Sequence, residues 1–425
     1  MKFNMNFFNI FIKKTNALGI NERNLSYIRR YNSKHAIHIA DDKLLTKNIL
    51  SEKGIPTSKL IRVIRTHKAL KKIDFKKLPI SFVVKPCSGV EGGGIEIFYN
   101  RDSKGNYIKA SGERWSANDL QNHCRKILDG DYSMNNLPDK IIIEERVKIS
   151  KDFRNFTYKG TPDIRVIVFN SIPIMSYIRI PTKSSDGKAN LALGAIGCGI
   201  DLDSGITTTG VIGKSEIITK FPNTNLSVSG IKIPYWNKIL KYSILCSRTT
   251  GLGFCAVDFL LDKDLGPVVV ELNARPGLSI QIANQDSLKW RLKKAKGIKI
   301  RGDIDKAIRI AKDLFGGEIQ EELEDISGKQ IIGKDNTLKI IFEGYQKTFP
   351  VKLNLEKKMS SIPLELYYEI APFLNDGSSS KILDINYKVN DSDKEEVSRF
   401  IVNPESDIII LGQNTLKHYL LDLSS

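Results

Sequence analysis

Three oxygen-bearing side chains, Asp258, Glu271 and Asn273, lie in two apolar segments joined by the turn DKDLG. The first segment reads FCAVDFLL and the second GPVVVELNA. Alternate side chains of a strand share a face, so Glu271 and Asn273 point the same way, and Asp258 joins them if the segments pair as a hairpin. Carboxylate and amide oxygens suit Mg²⁺. The set predicts a magnesium site; the alternative is that each carboxylate pairs with Lys or Arg in an ordinary sheet.

A lysine followed by closely spaced glycines predicts a phosphate-binding loop. The strand SFVVKP contains Lys85, the loop CSGVEGGG contains Gly92, Gly93 and Gly94, and the strand IEIF follows. Glycines let backbone amides approach phosphate oxygens, and lysine adds a compact positive charge. No G-K-[ST] leads into a helix, which excludes a Walker A loop. A plain hairpin turn is the alternative.

Further upstream, Lys43 and Lys47 lie four residues apart, on one face of a helix that Asp41 or Asp42 can cap. The same residues are also compatible with two solvated lysines. Gly54-Ile55-Pro56 predicts the end of this helix.

Several further polar residues accompany apolar strands. Glu144 and Glu145 end the strand IIIEERV, whose exit from a sheet can offer a purine a backbone donor and acceptor; any buried strand with a polar end is the alternative. Asp163, Arg165 and Arg179 lie on the next two strands, PDIRVIVFN and IPIMSYIRIPT, where a cross-strand salt bridge is the alternative.

The glycine-rich residues 183–200 contain Lys188 and Asn190 and predict a flexible loop that faces substrate or phosphate. The helix YWNKILKYSILCSRTTG then leads into the hairpin of Asp258. The five isolated histidines offer no Ser-His or Cys-His pair near that hairpin, so positioning and charge neutralisation are the expected contributions to chemistry.

The composition bounds these hypotheses. A chain of 425 residues that is 41% hydrophobic is long enough for two or three domains. Its five scattered cysteines form no C-x-x-C pair, which favours a reducing compartment, and we expect a cytoplasmic protein. The start, MKFNMNFFNIFIKK, is too short to span a bilayer; its Phe7, Phe8 and Phe11 are expected to dock on the protein, with an interfacial helix as the alternative.

The positive charge is concentrated at one end of the chain. Residues 1–80 contain 18 Lys and Arg against 5 Asp and Glu, whereas residues 331–425 contain 11 against 14. This basic region indicates an anionic partner, but the sequence shows no clear nucleic-acid motif.

The order of these motifs resembles the ATP-grasp superfamily, specifically its RimK-type alpha-L-glutamate ligase-like branch, also described as sugar-transfer-associated ATP-grasp. The resemblance covers roughly residues 20–300 and is strongest in YNSKHAIHIADDKLLTK, VVKP-x5-GGGI, the long stretch from PDIRVIVFN to CGIDL, and ELNARPGLSIQIAN. It implies an α/β (α+β) fold whose antiparallel sheets clasp ATP.

The resemblance also implies roles for individual residues. It makes Lys43 and Lys85 the ATP-phosphate lysines with Lys47 as a neighbour, and Gly92, Gly93 and Gly94 the loop over the phosphates. The other nucleotide residues it implies are Glu144, Glu145 and Val147 at the adenine, Asp163 at the nucleotide, and Lys188 and Asn190 near the phosphates, where this chain reads Lys-Ala-Asn instead of Arg-Ser-Asn. The implied metal ligands are Asp258, Glu271 and Asn273, for Mg²⁺ or Mn²⁺, and the arginines that hold the transferring phosphate and the acceptor carboxylate are Arg165, Arg179 and Arg275.

We expect four regions: a basic helical region at 1–80, an ATP-grasp core at 81–314, an acidic linker at 315–336 and a small β domain at 337–425. The last region faintly resembles a retropepsin-like domain. Asn354 stands where such a protease has its aspartate and cannot supply an ionisable carboxylate, so we expect binding or dimerisation there and no protease activity. An unrelated β domain is the alternative.

The resulting functional hypothesis is an ATP-dependent carboxylate–amine ligase that joins an amino acid or other amine to a carboxylate-bearing acceptor through an acylphosphate. Two alternatives stay open. One is an ATP-grasp enzyme that modifies cell-surface polysaccharide or peptidoglycan, and the other is a nucleotide-binding scaffold.

Overall fold

The computed structural model describes residues 17–89, 92–133, 136–150, 153, 156–213, 215–300, 302–317, 331–333, 335–374, 382–390, 392, 395–416 and 419–421. The chain divides into two compact units, Met1–Gly317 and Glu318–Ser425. Phe7, Phe8 and Phe11 and most of the predicted acidic linker lie outside the described residues.

The first unit alternates helices with two antiparallel sheets. Its helices are Ile20–Glu22, the π-helical Arg23–Ile28, Arg29–Tyr31, Lys34–Asp41, Lys43–Glu52, His67–Lys71, Ala117–Asp129, Trp236–Thr250, Ser279–Asn284, Leu288–Ala295 and Ile304–Phe315, with 3-10 turns at Phe75–Lys77 and Leu191–Leu193. The predicted fold class, helices combined with antiparallel sheets, is confirmed.

The first sheet carries the predicted lysine strand near its middle. Its strands are β1 (Leu60–Ile64), β2 (Phe82–Pro86), β3 (Glu96–Arg101), β4 (Tyr107–Lys109), β5 (Arg114–Trp115) and β6 (Ile141–Glu145), in the order β1-β6-β2-β3-β4-β5. Phe82, Val84 and Phe98 belong to the apolar core on one face, so Val83 and Lys85 point to the opposite face by the alternation of a strand. The same alternation places Glu144, the register partner of Val83, beside Lys85.

The second sheet contains the hairpin that the sequence predicted. Its strands are β7 (Asp163–Phe169), β8 (Ile172–Ile180), β9 (Ile196–Ile200), β10 (Thr207–Ile212), β11 (Glu216–Ile218), β12 (Phe254–Asp262) and β13 (Gly266–Asn273), in the order β11-β10-β9-β8-β7-β12-β13. The buried helix residues Trp236, Ile239 and Leu240 pack in the same apolar core as strand residues such as Val257 and Phe259.

The end of the glycine-rich stretch 183–200 differs from the prediction of a flexible loop. Its last five residues, Ile196–Ile200, form β9 inside the second sheet and are buried. Gly197 and Gly199 sit opposite Arg179 and Tyr177 of β8, where a side chain would collide with Leu191 or Asn284. These two glycines therefore serve close packing rather than flexibility.

A segment near the N-terminus is attached to both strands of the hairpin by one buried side chain. The Nδ2 atom of Asn32 donates to the carbonyl of Phe254 at 2.7 Å and to that of Ala274 at 3.1 Å, and its Oδ1 atom accepts from the Phe254 amide at 2.9 Å. Tyr27 and Tyr31 pack edge-on against Phe169 beside it. Asn32 thereby fixes the ends of β12 and β13.

The second unit is a small β structure, as predicted. Its elements are β14 (Ile331–Ile332), β15 (Asn336–Phe342), β16 (Tyr345–Leu353), β17 (Ser360–Pro363), β18 (Ile382–Val389), β19 (Glu396–Asn403), β20 (Ile409–Leu411), β21 (Leu420–Leu421) and the helices Leu364–Ile370 and Gln413–Leu416. β15, β16, β20, β17, β19 and β18 close into a barrel in that order. Asn354 caps a turn by accepting from the Glu356 amide at 2.9 Å. The resemblance to a retropepsin-like domain stays a prediction.

The hydrogen bonds of Asn32 generate a stability prediction. Asn32→Ala removes three bonds and leaves two carbonyls and one amide without that partner, so the free energy of unfolding of the first unit should fall by about 3 kcal/mol. All three tryptophans lie in this unit, so urea denaturation followed by tryptophan fluorescence measures it. Asn48→Ala, which changes an exposed asparagine, is the control. Equal stability of the two variants would contradict the role given to Asn32.

Candidate functional site

The second sheet aligns three charged side chains across neighbouring strands. Asp258 of β12 is the register partner of Glu271 on β13 and of Arg165 on β7. Directly opposite residues of antiparallel strands project to the same face. Arg165, Asp258 and Glu271 therefore form one row, which we call the carboxylate row, and Asn273 lies two positions beyond Glu271.

Asp258 is buried and is held by two arginines. Arg165 donates to both of its carboxylate oxygens, from Nε at 2.7 Å and from Nη2 at 2.6 Å, and Arg179 Nη2 adds a bond of 3.0 Å. Burial acts to raise the pKa of Asp258, but Arg165 and Arg179 outweigh it and the pKa lies below its usual value. Arg179 also forms a two-pronged pair with Asp163, its Nε atom lying 2.5 Å from Oδ1. The cross-strand salt bridge considered from the sequence is therefore present.

The same row offers oxygen donors of the kind that Mg²⁺ takes. A carboxylate has about four lone-pair directions, and the three short arginine bonds occupy three of those on Asp258. The remaining neighbour, Asn273 Nδ2, lies 3.4 Å from Oδ2, which is a long contact. Glu271 is 37% exposed and lies next to it. The donor set of Asp258, Glu271 and Asn273 thus fits a hard cation, although no three His, Cys, Asp or Glu residues of the described part of the chain group as a metal site.

A cluster of buried lysines surrounds Glu144. The ammonium of Lys47 lies 3.0 Å from Glu144 Oε1, and that of Lys85 lies 2.9 Å from Oε2. Ser58 donates to Oε2 at 2.6 Å, and Lys47 also donates to the carbonyl oxygen of Ser58. Burial acts to raise the pKa of Glu144, but the attraction of Lys85 and Lys47 lowers it overall. Burial lowers the pKa of Lys47.

Lys43 connects this cluster with the carboxylate row. Its Nζ atom lies 3.2 Å from Glu271 Oε1 and donates to the carbonyl of Gly89 at 2.9 Å. The helix Lys43–Glu52 begins there because Asp42 accepts from the amides of the next turn. One cavity has four charged residues in its lining: Lys43, Lys47, Lys85 and Glu271. The three predicted lysines and Glu271 are therefore brought together.

The described glycines of the predicted phosphate loop, Gly92 to Gly94, form a turn. Gly92 and Gly94 have φ angles of 76° and 71°, which disfavour other residues. A Cβ atom on Gly94 would lie only 2.7 Å from the Tyr132 ring, so a side chain has no room there. The turn leads directly into β3, and β3 pairs with β2, the strand of Lys85.

The remaining predicted residues lie in different surroundings. Glu145 pairs with Lys59 at 3.1 Å, and Val147 lies two residues beyond the end of β6. Lys188 is exposed, and Asn190 caps the turn Leu191–Leu193. Among the contacts of the described residues, the side chains of Lys188 and Asn190 do not reach the lysine cluster or the carboxylate row.

The last predicted arginine pairs with an acidic residue near the lysine helix. Arg275 holds Asp41 through two bonds of 2.7 and 3.0 Å. Arg23 donates to the carbonyl of Pro276 next to it. Sequence reasoning missed Arg23 and Ser58, because neither lies in a motif and each reaches the site only through tertiary packing.

A comparison with protein families gives one match over most of the first unit. A profile described as sugar-transfer associated ATP-grasp matches residues 22–297, more than half of the chain. The chain belongs to the sugar-transfer associated ATP-grasp family. Members of the ATP-grasp superfamily are ATP-dependent ligases, so the assignment supports an enzyme that uses ATP. A search of curated proteins finds no match.

This ATP-grasp chain is also similar to solved ligase structures. A D-alanine–D-alanine ligase from Bacillus anthracis, complexed with ATP, is 17% identical, with 66% of this chain and 70% of that chain covered and a TM-score of 0.34. The ATP-grasp ligase PsnB, complexed with a minimal precursor, is 14% identical over 62% and 61%, with a TM-score of 0.34. An L-amino acid ligase from Bacillus licheniformis is 15% identical over 59% and 43%, with a TM-score of 0.33. The family assignment rests on the profile match alone.

None of the described helices combines the length and the apolar character that crossing a bilayer requires.

The buried cluster around Glu144 predicts a pH-dependent contribution to stability. The pKa of Glu144 is lowered in the folded state, so its contribution is complete above the ordinary value of 4.5 and is lost as the pH falls through the folded value. Glu144→Gln should lower the free energy of unfolding by about 3 kcal/mol near neutral pH, because two buried lysines lose their counter-ion.

The measurement is urea denaturation of both proteins between pH 3 and 7. The difference in unfolding free energy should be largest at neutral pH and should shrink below pH 4.5. Glu52→Gln, at the exposed end of a neighbouring helix, serves as the control. A difference that stays constant down to pH 3 would show that Glu144 does not act through its charge.

Proposed function

We propose that this protein is an ATP-dependent carboxylate–amine ligase. The observation that carries the proposal is the contact of Lys43 with Glu271, because it joins the three lysines that line one cavity to the carboxylate row through Glu271. Family membership supplies the use of ATP. In this proposal Asp258, Glu271 and Asn273 would hold Mg²⁺, which supplies charge neutralisation of the triphosphate when it is bound.

Lys43 and Lys85 are the proposed phosphate ligands. The Lys85 ammonium shares Glu144 with Lys47, so phosphate oxygens can approach Lys85 while Glu144 keeps Lys47 as its partner. Lys47 and Lys85 are both buried, with exposed fractions of 8% and 7%, and we assign Lys47 the role of supporting the site through Glu144. The other residues proposed near the nucleotide are Gly92, Gly93, Gly94, Glu145, Val147, Asp163, Lys188 and Asn190.

The arginines are the proposed ligands of the transferring phosphate and the acceptor. Arg165 uses its Nε and Nη2 atoms on Asp258, and its Nη1 atom faces Gly277, where a Cβ would lie 3.6 Å away. Gly277 places no side chain beside this donor edge, and we propose that the edge binds an anion. Arg179 stands beside it, and Arg275 lies in the same loop as Gly277. Guanidinium groups suit carboxylate and phosphate because they bind both with paired bonds.

The chemistry proceeds in two displacements. An oxygen of the acceptor carboxylate attacks the γ-phosphorus of ATP, the bond to ADP breaks, and an acylphosphate forms. The amine then attacks the acyl carbon, phosphate leaves and an amide bond remains. The protein's residues hold the reactants and neutralise charge. Burial raises the pKa of the Cys198 thiol to about 12, which makes this cysteine a poor nucleophile.

A second candidate function follows from the family description. The association of this family with sugar transfer favours an acceptor that belongs to cell-surface polysaccharide or peptidoglycan-related modification. ATP would activate a carboxylate of that acceptor in the same way. The small β unit is a candidate for partner binding or dimerisation in either case. We place the reaction in the cytoplasm, where ATP is available.

An ADP-release assay tests the proposal. The purified protein is incubated with ATP, Mg²⁺ and pools of amino acids, acidic peptides, amino sugars and uronic acids. We expect acceptor-dependent ADP release with one pool. Glu271→Gln should reduce it by at least a hundredfold, since a metal ligand is lost, and should keep the fold because Glu271 is partly exposed.

Glu52→Gln is the matched control and should keep full activity. Retained activity in Glu271→Gln would mean that the metal assignment is wrong. Tight ATP binding without ADP release from any pool would favour the scaffold alternative over the ligase.

A further inference from the structure

A buried histidine, His123, holds the end of the glycine turn. It lies in the helix Ala117–Asp129, and its Nε2 atom is 2.9 Å from the carbonyl oxygen of Gly94. A carbonyl only accepts hydrogen bonds, so Nε2 carries the proton and donates. Burial lowers the pKa of His123, in keeping with a neutral imidazole whose single proton is on Nε2.

Aromatic neighbours fix the orientation of this imidazole. The Trp115 ring centroid lies 5.3 Å from the ring of His123 and that of Tyr132 lies 5.4 Å from it. The hydroxyl of Tyr132 is 3.5 Å from Nδ1, on the side of the ring that carries no proton. The ring of Tyr132 also fills the space where a side chain on Gly94 would stand. One group of side chains thus confines Gly94 by shape and by a hydrogen bond.

The other end of the glycine loop is attached to the same part of the chain. Gly89 forms a β-bridge with Ser133, and the amide of Ser88 donates to Asp139 at 2.7 Å. The carbonyl of Gly89 in turn accepts from Lys43. Gly89 and Gly94, on either side of the loop, are therefore both held by contacts with described residues between His123 and Asp139.

We propose that His123 is a positioning residue for the nucleotide. Its hydrogen bond to the Gly94 carbonyl holds the backbone of the glycine turn in the position where that backbone contacts the phosphates beside Lys85. This inference rests on the proposed function. A histidine that only filled the core would stabilise the fold without affecting nucleotide affinity, so the two roles are separable by experiment.

The experiment compares His123→Leu with His123→Gln in the full-length protein. Leucine keeps apolar bulk but loses the donor, whereas the amide of glutamine can reach the Gly94 carbonyl from a similar distance. We expect His123→Leu to weaken binding of a non-hydrolysable ATP analogue about tenfold, the size of one lost hydrogen bond, and His123→Gln to restore most of it. The KM for ATP should rise in parallel, while kcat changes less than threefold.

Affinity is measured by calorimetry with Mg²⁺ and the analogue, and folding by urea denaturation. His67→Leu, which changes an exposed histidine paired with Asp129, is the control and should bind like the wild type. Equal affinity of His123→Leu and wild type would overturn the proposal and leave the ligase proposal standing. A wild-type protein that binds no analogue would overturn both. If His123→Leu fails to fold, His123→Gln carries the test. If His123→Gln folds but binds the analogue tenfold more weakly than His67→Leu does, the proposal is overturned.

Discussion

The site depends on the compensation of one buried carboxylate, that of Asp258. A charge in the interior of a sheet is costly unless opposite charge and hydrogen bonds surround it. Arg165 meets this requirement because the antiparallel register places it directly opposite, and Arg179 reaches the same oxygen from the next strand. The register that satisfies Asp258 also sets Glu271 at its other side. The placement of the proposed metal ligands is therefore a consequence of strand pairing.

The charges of the three lysines are likewise balanced by carboxylates of the protein. Lys47 and Lys85 share the buried Glu144, and Lys43 shares the partly exposed Glu271. The protein's own carboxylates thus hold the cations in place before a nucleotide arrives, which keeps the side chains ordered at a low electrostatic cost. Lys43 and Glu271 are the most accessible of these partners. An incoming triphosphate and its cation can exchange with this pair while Glu144 keeps Lys47 as its partner.

The sequence was informative where local pattern determines structure. The apolar runs around Asp258 and Glu271, with their turn, predicted the hairpin. The pair Asp41-Asp42 predicted a helix start beside Lys43, and the structure selects Asp42 as the cap. The glycine content of residues 183–200 misleadingly predicted a loop at Gly197 and Gly199. In the sequence, glycines that pack closely against Leu191 and Asn284 look the same as glycines of a flexible loop. Asn32, Ser58 and His123 could not be predicted, since their partners lie far away in sequence or are backbone atoms whose positions depend on the completed fold. The pairing of Asp258 with arginine was foreseen only as an alternative, because spacing alone does not decide between a metal ligand and a salt bridge.

We propose above all that Asp258, Glu271 and Asn273 hold a divalent cation against the phosphates of ATP. The most direct measurement is anomalous X-ray scattering from crystals of the protein with Mn²⁺ and a non-hydrolysable ATP analogue. We expect a manganese peak bonded to oxygens of these three side chains and of the phosphates, with Lys43 and Lys85 in contact with the phosphate chain. A nucleotide-bound crystal in which the manganese lies elsewhere, while Asp258 and Glu271 keep only their arginine and lysine partners, would contradict it.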